Sequence, residues 1–340
     1  MEIMDNHDDA GRTRGAELKE ITYTLLALGP SDGSSDEVWL GGSLISRVIR
    51  YEAASVSGKR FGSRILGIGW DSFLLAVKTL RPGIKGPYLA NNPWIGAALR
   101  VTGRTNFAVT GVYAEPNSRS WKLLRGLIGS APVVTLSESE AGPWNESGGR
   151  AEAVLYGNYF GYPSKAGRDA VFHVFVGGSS DRDPFALRKL ENEVLDSKHP
   201  VMLTLATGEP AAEQTRGVNV IRRPGPLNQQ EFGELLSTAS VVFLPLKDGT
   251  RAAGHMVLVG AMESGVPTAI TPSGGILEYI QGPGISKCDS SIPILPQLMD
   301  IGERGRNREE EIREYWQNNF SLSAYMSRVE DALLRMSAPR

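Results

Sequence analysis

The sequence contains a single cysteine, Cys288, among 340 residues. One thiol can form neither an internal disulfide nor a cysteine-rich metal site, and it fits a reducing compartment. Histidine is scarce as well: His7, His173, His199 and His255 are the four. Beyond residue 18 the N-terminal half has none, so a histidine general base is not on offer there. No apolar run approaches the ~20 residues of a membrane helix. The polar stretch 1–18 lacks the apolar core of a signal peptide and reads as a flexible extension. We expect a cytoplasmic protein with no transmembrane segment, peripheral membrane contact remaining open. Charge is not one-sided either: 36 Lys and Arg against 38 Asp and Glu give a net charge of −2, so no nucleic-acid partner is expected. No Gly-x-Gly-x-x-Gly follows the first strand candidate, which disfavours a dinucleotide oxidoreductase.

What is present is an ordinary globular composition, 41% hydrophobic and 22% charged, in a chain long enough for two domains. Short apolar runs alternate with amphipathic stretches. Residues 21–28, 63–68, 87–90, 106–112, 132–136 and 153–156 read as strands, with helices beginning near 41–43 and covering 72–80 and 118–128 between them. A Gly- and aromatic-rich break spans 157–168. The alternation then restarts, with strands at 171–176, 201–205, 218–221, 241–244 and 268–270 and helices at 183–195, 229–237, 255–263 and 276–280. A helical tail covers 292–336. Two such runs predict an α/β protein of two Rossmann-like domains facing a cleft, with ligands beyond the carboxyl ends of the strands. We divide it at 19–160, 161–320 and 321–340.

The stretch 241–271 carries the most chemistry. A buried strand ends at Pro245, and Lys247, Asp248, Thr250 and Arg251 form a polar loop. Ala253-Gly254-His255-Met256 then opens a helix that ends at Gly265. Free backbone N–H groups at a helix start bind anions, Gly254 permits close approach, and Lys247 and Arg251 supply cations. These are the requirements of a diphosphate, although a plain strand–loop–helix crossover would look the same.

The stretch resembles the nucleotide-sugar signature of GT-B glycosyltransferases, the retaining variant with Ala-Gly-His or Ala-Gly-Gln before an apolar helix. Ala253-Gly254-His255 and Ala261-Met262-Glu263-Ser264-Gly265-Val266-Pro267 match it. So do Ser273-Gly274-Gly275 with Glu278-Tyr279, and Gly177-Gly178-Ser179-Ser180-Asp181-Arg182-Asp183 upstream. The resemblance implies that Arg182 faces the donor diphosphate and that Gly177 and Gly178 let the donor approach the backbone. Asp183 also reads as a helix N-cap before Pro184. By the same resemblance, the loop holding Arg223 and Pro224 lines the nucleobase pocket, and Gly41-Gly42-Ser43 forms the acceptor-side glycine loop. Those three residues equally suit a helix start capped by Ser43. The last helix should cross back to the first domain.

The pattern breaks where relatives carry Glu-x7-Glu: the two positions are Ala252 and Gly260, and Glu263, one turn later, is the substitute for ribose contact. Asp71 and Glu115, after strand candidates, are the alternatives for a general base; His255 is weighed as a neutral donor to a phosphate or sugar oxygen. His173, inside an apolar strand, reads as a core residue. The implied activity is transfer of a sugar from a nucleoside-diphosphate sugar to a cell-surface glycan, lipid-linked sugar or small natural product, with retention and with neither metal nor cofactor. The missing carboxylates keep open a non-catalytic nucleotide- or partner-binding protein.

Overall fold

The computed structural model describes residues 22–29, 34–51, 64–112, 114–165 and 171–337; the expected extension at 1–18 lies outside them. The first half contains β1 (Tyr23–Leu28), α1 (Ser34–Gly41), β2 (Ile45–Tyr51), α2 (Arg64–Lys78), β3 (Tyr88–Ala90), α3 (Pro93–Val101), β4 (Phe107–Thr110), α4 (Arg119–Ile128), β5 (Pro132–Thr135), α5 (Glu138–Glu146) and β6 (Arg150–Ala153). Its six strands form one parallel sheet in the order β2-β1-β3-β4-β5-β6. Strands this apolar need cover on both faces. In β1, Leu25 and Leu26 are both buried but enter different core clusters, one on each face, as the two-residue strand period requires.

The second half contains β7 (Phe172–Gly177), α6 (Pro184–Leu195), β8 (Val201–Ala206), β9 (Ala212–Arg216), β10 (Asn219–Arg223), α7 (Gln229–Ser237), β11 (Val241–Leu244), α8 (His255–Ser264), β12 (Thr268–Ile270), a 3₁₀ turn (Gly274–Tyr279) and β13 (Ile285–Lys287). Seven strands form a sheet in the order β13-β12-β11-β7-β8-β10-β9, parallel except for the edge strand β9. His173 in β7 is a satisfied core residue: its Nε2 lies 2.8 Å from Thr204 Oγ1 and its Nδ1 lies 3.2 Å from Thr238 Oγ1. The tail forms α9 (Ile294–Arg304), α10 (Glu309–Asn319) and α11 (Leu322–Ser337). Leu322, Tyr325, Met326, Val329 and Leu333 of α11 pack with Leu25, Leu89 and Val134, so the last helix covers one face of the first sheet. The two chain crossings run side by side, with Asn158 N donating to Phe320 O at 2.9 Å. A Cβ on Gly157 would stand 2.6 Å from that oxygen.

Three local expectations change. Residues 63–68 and 72–80 do not form a strand followed by a helix; both fall largely within α2. Its buried positions, Gly67, Asp71, Ser72, Leu75 and Ala76, fall at helical spacing, which overrides the short alternating run at its start. No helix begins at Gly41-Gly42-Ser43, because α1 ends at Gly41 and β2 follows. Strands β2, β9 and β13 are additional. β9 is exposed at every position, so it carries no apolar signal.

Candidate functional site

The loops after β7 and β11 meet where the second sheet reverses its strand order, with β7 between β8 and β11. Ligands of open α/β sheets bind in such a crevice. The loops are bonded together: Arg182 and Leu246 form an isolated antiparallel bridge. Asp183 N donates to Pro245 O at 2.8 Å and Lys247 N to Asp181 O at 2.9 Å.

A cavity of about 640 Å³ opens at this junction. One part of its wall is Gly178, Ser179, Ser180 and Arg182 after β7, with Gly254, His255 and Met256 at the start of α8. Gly178 and Gly254 have φ of 77° and 81°, left-handed values that favour glycine. Gly254 is the N-cap of α8, whose first-turn N–H groups have no intrahelical acceptor and carry the positive end of the helix dipole. Arg182 is buried, and its guanidinium is fixed by backbone carbonyls: Nε and Nη2 donate to Gly177 O at 2.9 and 2.6 Å, and Nη1 to Ser180 O at 2.9 Å. A pre-oriented cation beside a helix start suits an anionic ligand. Gly177 thus holds the arginine, and a Cβ there would meet Phe232 at 2.5 Å. Asp183 caps α6, its Oδ1 accepting from Phe185 N at 2.8 Å.

Other expected donor residues stand elsewhere. Lys247, Arg251 and Ala253 do not line this cavity. Arg251 pairs with Asp181 and, at 3.6 Å, with Glu115. Lys247 is exposed, and Ala253 is buried with its N–H donating to Arg251 O. Arg223 is turned to Glu191 and Glu209, at 2.6 and 3.1 Å, and neither it nor Pro224 lines the cavity; Leu227 and Asn228, further along the same loop, and Gln229 at the start of α7 do. Gly41, Gly42 and Ser43 sit at the amino edge of the first sheet, where Ile45 pairs with Tyr23. There a Cβ on Gly42 would meet Met326 of α11 at 3.1 Å, and Ser43 Oγ donates to Glu330. They are a packing turn on the edge opposite the carboxyl ends of the strands. Asp71 is buried in the middle of α2, not placed beyond a strand. Glu115 does follow β4 and reaches the second domain, accepting from Thr250 Oγ1 at 2.9 Å.

Glu263 has another task. Its carboxylate accepts from Phe160 N, Gly161 N and Tyr162 N at 3.0, 2.9 and 3.2 Å, pinning the interdomain segment to α8. Burial pushes its pKa up against the pull of those donors. The pinned segment places Tyr162 over Gly260, where a Cβ would stand 2.6 Å from the ring. Phe160 and Tyr162 stack at 5.0 Å and join Leu227 and Phe232 as a second, aromatic part of the cavity wall.

His255 is buried, and burial pulls its pKa down to about 4. Its Nδ1 faces the carbonyl of Ala252, so Nδ1 carries the proton and donates. The neutral ring therefore presents Nε2 as an acceptor, which corrects the expected donor to phosphate. Sequence reasoning missed Glu140. It accepts from Leu136 N at 3.0 Å and, across the domain boundary, from Ala252 N at 3.3 Å. Burial pushes its carboxyl up to about 7. Its signal was Ser137-x-x-Glu140, a capping-box pattern whose glutamate here reaches one residue further back. Tyr279 OH closes the same seam, donating to Leu136 O at 2.8 Å and accepting from Tyr156 N at 2.8 Å.

No protein-family model matches the chain, and no curated protein matches it in sequence. Among solved structures it is similar to sucrose-phosphate synthase from Thermosynechococcus elongatus, with TM-score 0.64 and 13% identity over 92% of this chain and 98% of that one. It is also similar to Anabaena HepE in complex with UDP and glucose, with TM-score 0.57 and 12% identity over 92% and 99%. A third is described as a UDP-N-acetylglucosamine 2-epimerase from Listeria monocytogenes, with TM-score 0.55 and 10% identity over 92% and 96%. The chain has the two-domain α/β architecture of GT-B proteins. At such identities the likeness concerns the fold.

Proposed function

We propose that this protein is a glycosyltransferase that takes its sugar from a nucleoside-diphosphate sugar. The observation that carries the reading is the convergence of buried Arg182, left-handed Gly178 and Gly254, and the start of α8 on one cavity at the strand-order reversal. In the reaction, the bond from the anomeric carbon to the diphosphate oxygen breaks and a bond to the acceptor oxygen forms. Negative charge grows on the departing diphosphate, where Arg182 and the α8 dipole stabilise it. Nε2 of His255 accepts from a donor-sugar hydroxyl. HepE, with its UDP and glucose, supports the donor class by likeness of fold.

The reading includes retention of configuration, assistance by the leaving diphosphate in acceptor deprotonation, and no resident cofactor. We place the reaction in the cytoplasm; no helix among the described residues is long and apolar enough to cross a membrane. The acceptor is a sugar or another hydroxyl-bearing small molecule held against the first domain. Arg182→Ala should weaken nucleotide-sugar binding by ~1.5–3 kcal/mol, read by calorimetry beside a thermal-melt control. Unchanged affinity would put the diphosphate elsewhere. A nucleotide-binding protein without transferase activity is the second reading. It is favoured by the engagement of Glu115 with Thr250 and of Glu263 with the backbone. Slow donor hydrolysis by the wild type that Arg182→Ala abolishes would reject it.

A further inference from the structure

The cavity has two unlike parts, and their order fixes how a nucleotide can lie. Arg182 and the start of α8 supply the cationic part. A diphosphate seated there leaves its nucleoside to meet the aromatic part, built by Phe160, Tyr162 and Phe232. This wall is held in place. Glu263 grips three successive backbone N–H groups of residues 160–162. The Tyr162 ring fills the room left by two glycines: a Cβ on Gly233 would stand 2.3 Å from it, and one on Gly260 2.6 Å. No side chain larger than glycine fits at those positions while the ring stays.

This packing decides what the nucleoside's own sugar touches. A ribose diol is recognised most strongly by a carboxylate that accepts from both hydroxyls. Glu263 is not placed for this: it is buried, does not line the cavity, and its oxygens accept from the backbone of residues 160–162. Among the described residues lining the cavity, none is Asp or Glu. The polar side chains beside the aromatic wall are neutral amides with one end committed: Asn228 Oδ1 accepts from Glu231 N at 2.9 Å, and Gln229 Nε2 donates to Phe160 O at 3.1 Å. Ser179 and Ser180 belong to the phosphate part, beside Gly178.

We propose that Tyr162 is a specificity-determining residue that gives the nucleoside an aromatic surface in place of a diol-binding carboxylate, so that the pocket takes 2′-deoxyribonucleoside diphosphates as readily as their ribo counterparts. The proposal rests on the nucleotide-sugar reading of the same cavity. An apolar surface barely distinguishes two ligands that differ by one hydroxyl, whereas a site built to bond that hydroxyl rejects the ligand lacking it.

The test is calorimetric titration of the full chain with matched pairs: UDP and 2′-deoxy-UDP, ADP and 2′-deoxy-ADP, GDP and 2′-deoxy-GDP. For whichever base binds most tightly, the two members should agree within about threefold, since one neutral hydrogen bond to the 2′-hydroxyl would cost about fivefold. A loss of more than about threefold in the deoxy member overturns this inference and leaves the nucleotide-sugar reading intact. Binding by none of the six overturns both. Tyr162→Ala should weaken both members in parallel; unchanged affinities would mean that the ring is not part of the contact. Tyr162→Phe keeps the ring and should keep the ribo-to-deoxy ratio. A selective fall for the ribo member would show that the phenol reads the 2′-hydroxyl and would overturn the proposal.

Discussion

A buried neutral imidazole at a helix start offers a ligand something different from a charged one. At His255 the positive end of α8 and burial both disfavour the imidazolium, and Arg182 adds to the effect. The proton on Nδ1 is held by Ala252 O, so the neutral ring carries its acceptor lone pair on Nε2. An NMR titration of the ring should give a midpoint of about 4. The stability consequence follows from its sign. With a folded-state pKa of about 4 against an ordinary value of 6.5, the unfolded chain binds more protons between those values. The stabilisation is complete above about pH 6.5 and disappears as the pH falls through 4, by up to roughly 3 kcal/mol. His255→Gln should flatten that acid limb in urea titrations; an unchanged limb would show that the ring is solvated. Gly254 was legible from the glycine-opened helix start, and Arg182 and Gly178 from the family resemblance; all three line the cavity. Glu140 and Tyr162 were not legible. Their partners, Ala252 for one and Gly233 and Gly260 for the other, are brought to them only by the docking of separate elements.

At the scale of elements, α8 is built to be covered. Every residue of it from Val257 to Ser264 is buried, Gly260 among them. Gly260→Ala would push a methyl into the Tyr162 ring, and overpacking of this kind costs about 1–3 kcal/mol. Because the contact is with a side chain, Tyr162→Ala should recover most of that loss in the double variant, a coupling that denaturant titration of the four proteins would show. Additive losses would mean that the strain lies in the backbone. The same element shows why boundaries were read unevenly from sequence. Gly254 and Gly265 bracket α8 in left-handed conformations, a signal visible in the sequence, and its limits were read to within one residue. Helix α2 has a Gly-x-Gly interruption and an alternating apolar start, so local pattern and tertiary packing disagreed, and packing against α3 prevailed. The turn at Gly41-Gly42-Ser43 misled for a similar reason: a glycine pair marks a chain reversal at either edge of a sheet, and only the β1–β2 register identifies which edge.

For the whole molecule, the seam between the two domains has a titratable group inside it. Glu140, at the start of α5 in the first domain, accepts from Leu136 N in its own domain and from Ala252 N in the second. Around it, Ser139 Oγ donates to Thr250 O at 2.6 Å, and Glu138 N donates to Glu278 Oε1 at 2.9 Å. Arg251 is the nearby cation, and Glu278 and Tyr279 face the seam from the 3₁₀ turn. Burial in this seam raises the Glu140 carboxyl from 4.5 to about 7, the backbone donors and Arg251 only partly opposing it. A raised pKa means that the closed seam binds a proton more tightly than a solvated carboxyl does. Its contribution is therefore complete below about pH 4.5 and is lost as the pH rises through 7, a change of about 1–3 kcal/mol after allowance for local relaxation. The two domains should part more readily at pH 8 than at pH 6, and closure should take up a proton. Glu140→Gln keeps an acceptor for one N–H and cannot ionise, so it should remove the difference between those two conditions while costing some stability at the lower one. Melting temperature and small-angle scattering radius, measured for both proteins across this range, decide the matter. His255 titrates below the window, and the raised carboxyls of Glu263 and Glu278 are common to both proteins, so subtraction isolates Glu140. A wild type and a variant with parallel pH profiles would show that the carboxyl is solvated and that the seam is held by its neutral hydrogen bonds alone.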